Sequence, residues 1–135
     1  MSDTQMINFE LVSPEEKLIE EPVKMAVIPG AEGEMGVLAG HAPFVVALKP
    51  GVVTLFKEEG GEANKIFIAG GFADVTGESC VVLAEQATNV NELDRAALEQ
   101  ELTNLGEDLE RAEDSDKARI EKSIALVKAK LAAAA

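Results

Sequence analysis

Tryptophan and tyrosine are absent from this chain of 135 residues, and five phenylalanines are all its aromatic side chains. A core built from it is therefore aliphatic, and a mode of action that depends on stacked rings is excluded. Cysteine occurs once, as Cys80, so no disulfide can close within the chain and a reducing compartment is the default. Cys80 lies in the apolar run Ser79-Cys80-Val81-Val82-Leu83, where a free thiol behaves as a small buried hydrophobe. Histidine also occurs once, as His41. Without a second histidine or a cysteine pair there is no zinc-ligand spacing, and no serine is marked as its partner in a nucleophilic triad. Positive charge is scarce too: 12 basic residues face 25 acidic ones, a formal net charge of −13. That surface repels the phosphates of nucleic acid and of anionic lipid. No run reaches the roughly 18 apolar residues of a membrane span. Met1-Ser2-Asp3-Thr4 has neither the basic start nor the apolar stretch of a secretory signal. A cytosolic protein is predicted.

What the chain does have is 47% apolar residues in two regions of different period. Up to about Thr88 the pattern is β. Ile7, Phe9 and Leu11 alternate with Asn8, Glu10 and Val12, so one strand face carries three apolar side chains. Val23, Met25 and Val27 repeat the alternation. Short apolar runs follow at Phe44–Leu48, Val52–Phe56, Ile66–Ala69, Phe72–Val75 and Cys80–Ala84. Pro29-Gly30, Pro50-Gly51, Gly60-Gly61, Gly70-Gly71 and Thr76-Gly77 punctuate them. Short strands between closely spaced turn signals predict an antiparallel sandwich or barrel. No helical stretch separates them, which excludes a βαβ fold.

Gly30, Gly33 and Gly36 form a glycine-rich loop, but Val37 and Leu38 stand where a phosphate loop needs Lys-Ser/Thr. Glu32 and Glu34 would repel a phosphate there, so the glycines are read as turn formers. The carboxylate pairs Glu32/Glu34 and Glu58/Glu59 are read as solvated loop charge. Nothing in the chain assembles chemistry by itself, and interaction is left as its function.

From Asn91 onward the period becomes helical. Asn91 is a candidate helix cap, with Asp94 suiting the first turn. Leu98, Leu102, Leu105 and Leu109 mark one stripe; after Glu113-Asp114-Ser115-Asp116, Ile120, Ile124, Val127 and Leu131 mark a second. The short break predicts an antiparallel helical hairpin. Its first helix is acidic. The second is basic through Lys117, Arg119, Lys122, Lys128 and Lys130, which predicts attraction across the pair. Two narrow stripes bury little area, so the hairpin has to dock on the sandwich or on another protein, and it is the part most able to move. The predicted class is α+β, mainly β, with residues 1–88 as the β domain and 89–135 as the hairpin.

One segment is more specific than its composition. Val27-Ile28-Pro29-Gly30-Ala31-Glu32-Gly33-Glu34-Met35-Gly36-Val37-Leu38-Ala39-Gly40-His41-Ala42-Pro43 resembles the signature of the epsilon subunit of bacterial F-type ATP synthases, called delta in mitochondria. Lys49-Pro50-Gly51-Val52-Val53, Gly70-Gly71-Phe72-Ala73-Asp74-Val75 and the Leu93-Asp94 helix start match the same family, so the resemblance spans nearly the whole chain. It implies a ten-stranded sandwich of two sheets at the foot of a central stalk, non-catalytic, gripping the gamma subunit on one side and meeting the polar loops of the membrane c-ring at one end. It implies c-ring contact at Glu34 and at His41-Ala42-Pro43. It places the chain on the cytoplasmic face of the bacterial inner membrane, peripheral and without insertion. In relatives the hairpin, when extended, obstructs hydrolysis through basic residues facing the catalytic beta subunits; Lys117, Arg119 and Lys122 are the corresponding candidates. Some relatives bind ATP through Ile/Leu-Asp-x-x-Arg-Ala. Here Ala97 holds the arginine position, and Arg95 lies two residues away, roughly 200° around the helix. Weak or absent ATP binding is expected, and no cofactor. The rival reading is a free-standing β-sandwich adaptor whose hairpin binds an unrelated target.

Overall fold

The computed structural model describes residues 5–57 and 63–134. The Met1-Ser2-Asp3-Thr4 start, the Glu58/Glu59 pair and the Gly60-Gly61 turn lie outside the described residues. The chain divides into two compact units, 1–88 and 89–135.

The first unit has ten strands: β1 (Ile7–Val12), β2 (Lys17–Val23), β3 (Met25–Gly30), β4 (Gly33–Val37), β5 (Phe44–Leu48), β6 (Gly51–Phe56), β7 (Ala63–Ile68), β8 (Gly71–Val75), β9 (Ser79–Ala84) and β10 (Ala87–Asn89). One layer runs β10-β7-β6-β3-β4 and the other β5-β8-β9-β1-β2. A single pair, Gly30 with Leu48, carries the ladder from β3 to β5 and so from one layer to the other. Period-two alternation fills the space between the layers. Ile7, Phe9 and Leu11 are buried from β1, Val53 and Leu55 from β6, Ala73 and Val75 from β8, and Cys80, Val82 and Ala84 from β9. Each fully buried Val, Leu, Ile or Phe contributes about 1.5–3 kcal/mol. No polar or charged residue is buried among those described.

Three features of the sandwich depart from the sequence expectations. The sandwich is not wholly antiparallel, because β1 pairs β9 in parallel, with Phe9 opposite Cys80. Parallel neighbours need a long crossover, and the 66 residues between Val12 and Ser79 supply it. The run expected from Val23 to Val27 is also split at Lys24 into β2 and β3. β2 pairs only with β1, so it is an edge strand, the place where Pro22 is tolerated. β4 is built from the glycine-rich segment read above as turns, with Gly36 opposite Val27 and Gly33 opposite Gly30.

The second unit opens on a 3-10 turn, Val90–Glu92, followed by α1 (Arg95–Arg111) and α2 (Asp114–Ala134). Asn89 caps the turn, its side chain accepting from the Asn91 amide at 2.9 Å. The cap of α1 is Asp94, not Asn91: its Oδ1 accepts from the Ala97 amide at 3.2 Å. Asn91 lies inside the preceding turn. The connection is shorter than the four-residue break suggested, because Asp114, Ser115 and Asp116 already belong to α2, where acids suit the first turn. Leu98, Ile120 and Val127 are buried, and the other stripe residues are half-buried.

Candidate functional site

Three surfaces hold the candidate contact residues. The first is the outer face of β5-β8-β9. Residues opposite one another in adjacent strands share a face. Ala47 pairs Phe72, Phe72 pairs Leu83, and Leu83 pairs Val12, which makes one apolar row across four strands. Val45, Phe72 and Leu83 are 70%, 57% and 50% exposed. At the end of the row Val12, Pro14, Phe72 and Leu83 line an open depression of about 240 Å³, with Glu85 at its rim. Sequence reasoning placed these residues in strands but did not see the face. The signal was present: Ala73 and Val75 point inward, so Phe72 is an apolar side chain at an outward position.

The second surface follows the β3–β4 turn and the β4–β5 connection. Glu34 is exposed on β4, opposite Pro29, and shares an open depression with Ala31 and Val45–Ala47. His41, Ala42 and Pro43 are exposed and lead into Phe44 at the start of β5. His41 Nδ1 donates to the Ala42 carbonyl at 2.9 Å, and the imidazole sits 4.9 Å from the Phe44 ring. Gly40, with φ +86°, turns the chain there, and its amide donates to the Gly77 carbonyl at 2.8 Å. No hydrogen bond or ion pair joins Glu34 to His41 among the described residues. Both lie beside β5, separate along it.

The third surface is the hairpin. Among the described residues its ion pairs run along each helix and not across it, contrary to the expected cross-helix attraction. Arg95 Nε is 3.3 Å from Glu99 Oε1, Lys117 Nζ 3.3 Å from Asp114 Oδ1, and Arg119 Nη2 3.6 Å from Asp116 Oδ1. These are spacings of three or four residues, which helix geometry brings together before any second helix is needed. Lys122, Lys128 and Lys130 are in no ion pair among the described residues.

Among the described residues, two titrating groups are displaced from ordinary values, neither at a reactive centre. Burial, with the charge of Asp74 added, pushes the Cys80 thiol up to about 12. Hydrogen bonds to Glu20 and Glu10 raise Lys17, which ties β1 to β2. Among the described residues, no group of three or more His, Cys, Asp or Glu side chains is placed to hold a metal ion. No described helix is long and apolar enough to cross a membrane.

Comparison with known proteins covers both units. Residues 6–90 match the family model for the beta-sandwich domain of the ATP synthase delta/epsilon chain, and residues 94–135 match that for the C-terminal domain of the ATP synthase epsilon chain. An ATP synthase epsilon chain from Rhodospirillum centenum is 44% identical over 130 residues, covering 93% of this chain and 89% of that relative. One from Rhizobium meliloti is 46% identical over 121 residues, 90% of each. Among solved structures, a subunit of the Euglena gracilis mitochondrial ATP synthase assembly containing OSCP, F1 and the c-ring superposes with a TM-score of 0.84 at 30% identity, covering 95% of this chain and 81% of that one.

Proposed function

This chain belongs to the ATP synthase epsilon family, and we propose that it serves as a non-catalytic subunit of the central stalk, clamped between a gamma subunit and a c-ring. The observation that carries the reading is the pair of family matches, which together account for nearly every residue from 6 to 135. The surfaces suit the role. An exposed apolar row on a hydrogen-bonded sheet is a rigid face for a permanent partner, and we assign gamma to the β5-β8-β9 face with Phe72 and Leu83 as its centre. The polar edge formed by Glu34 and His41-Ala42-Pro43 is assigned to the short polar loops of the c-ring, where carboxylate and imidazole can meet basic and amide groups. Residues 1–88 do the coupling and residues 89–135 the regulation.

The hairpin reading is refined by its ion pairs. Lys117 and Arg119 are held by acids of their own helix, whereas Lys122 has no such partner among the described residues. An exposed pair is worth at most about 1 kcal/mol, so an acidic loop of a catalytic subunit competes for Lys117 and Arg119 cheaply and meets Lys122 unopposed. Through that complex we place the chain at the cytoplasmic face of the bacterial inner membrane, attached peripherally.

Affinity purification of the tagged chain from detergent-solubilised membranes tests the core of the proposal. ATPase activity and the c-ring are expected to co-purify. A chain recovered without them would favour the free adaptor. Phe72→Glu, which puts a charge in the middle of the apolar row while leaving the core intact, is expected to abolish co-purification of gamma.

A further inference from the structure

The foot assigned to the c-ring lacks an acid of its own at the histidine end: Leu38 to Pro43 carry no carboxylate. We propose that Glu78, on the β8–β9 turn, supplies it, making that turn a second half of the same contact surface. The inference rests on the reading that His41-Ala42-Pro43 meets the c-ring.

The placement is fixed by backbone bonds. The Gly40 amide donates to the Gly77 carbonyl at 2.8 Å, which staples the His41 loop to the residue before Glu78. A Cβ placed on Gly77 would stand 3.8 Å from the His41 carbonyl oxygen, ordinary contact distance. Glu78 itself is pinned from both sides. Its amide donates to Thr76 Oγ1 at 3.3 Å, and its carbonyl accepts from the Asn8 amide at 2.9 Å. Thr76 Oγ1 also accepts from the Ser79 amide at 3.0 Å, which closes the turn. The Glu78 residue is exposed, and its carboxylate makes no hydrogen bond or ion pair among the described residues. An unpaired charge on a backbone already ordered loses little entropy when a partner arrives. Glu34 cannot replace it here, since it lies over Val45–Ala47, further along β5. The partner this chemistry fits is a short loop carrying a basic or amide side chain next to a hydrogen-bonding group for the imidazole.

Cross-linking in membranes holding the assembled synthase tests this. Cys80 is buried and leaves the background clean. Single His41→Cys and Glu78→Cys variants are oxidised against a cysteine placed in the polar loop of the c subunit. Both are expected to cross-link. In addition, Glu78→Lys on the His41→Cys background is expected to lower its cross-link yield about two- to fivefold at low ionic strength, the range of one exposed charge pair, with the difference shrinking in high salt. A cross-link from His41→Cys without one from Glu78→Cys, or a yield indifferent to Glu78→Lys, would overturn the role of Glu78 and spare the c-ring reading. No cross-link from either position would sink that reading and this inference together.

Discussion

At the scale of single residues, Cys80 and Gly71 show how little of the sandwich is adjustable. Cys80 is buried between β8 and β1, and its thiol pKa is raised from the ordinary 9.0 to about 12. A pKa raised by folding means that the neutral form is favoured in the native state. The stabilisation is complete below pH 9 and is lost as pH rises towards 12, with a slope of at most about 1.4 kcal/mol per pH unit. Alkaline unfolding of Cys80→Ala is expected to show a flatter limb between those pH values than the unmodified chain. Thiol reagents are expected to label Cys80 only after denaturant is added. Gly71 has φ +145°, and a side chain there would run into the Leu83 carbonyl of β9. Gly71→Ala is expected to cost about 3 kcal/mol or more, read as a lower denaturation midpoint or loss of soluble protein.

At the scale of elements, the contrast is Gly106, in the interior of α1. A Cβ there meets nothing within 4 Å, so Gly106→Ala is expected to stabilise the helix by about 0.5–1 kcal/mol, visible as slower amide exchange in α1. Asp94→Ala has the opposite sign, about 1 kcal/mol of lost capping. Capping also bears on nucleotide binding. Asp94 is occupied by the Ala97 amide, Ala97 stands where the motif has its arginine, and Arg95 lies roughly 200° around the helix from that position, so the start of α1 presents no arginine on the motif's face. Calorimetry with millimolar ATP is expected to give no saturable heat; a clear binding isotherm would refute this.

How legible each element was depended on whether its pattern is set by burial. β1, β6, β8 and β9 alternate because one face is core, and alternation survives in sequence. β2 is an edge strand whose Lys17, Glu20 and Pro22 describe its exposure and hide its extended backbone. β4 pairs Gly33 with Gly30, where a Cβ on Gly30 would stand 2.7 Å from the Gly33 carbonyl oxygen, a tertiary fact that looks like turn chemistry in one dimension. β10, Ala87-Thr88-Asn89, is too short to show a period. Of the candidate site, the family motif is what singles out Glu34 and His41-Ala42-Pro43, which the structure leaves exposed. The apolar outer row and the turn beside His41 depend on register between strands far apart in the chain, which no local window contains.

At the scale of the whole molecule, the division at residue 88 separates the unit to which we assign coupling from the unit to which we assign regulation. A chain ending at Thr88 keeps every described strand and loses only Asn89 from the end of β10, and it retains both faces assigned to the rotor. Membranes assembled with it are expected to support coupled synthesis, with only the restraint on hydrolysis altered. Failure of the truncated protein to assemble would place the hairpin among the structural parts. Lys122→Glu in the full chain is expected to mimic the truncation partially, raising hydrolysis without changing assembly.

The parallel ladder between β1 and β9 has a consequence for biogenesis. β1 leaves the ribosome well ahead of β9, and Asn8 to Val12 find their inner neighbours only when Ser79 to Leu83 have been translated. Until then the nascent polypeptide holds a half-built layer with Phe9 and Leu11 uncovered. Closure is therefore a late, long-range event, slow by the usual dependence of folding rate on sequence separation. A message cut before the Ser79 codon is expected to yield a product found in the insoluble fraction instead of a smaller working part.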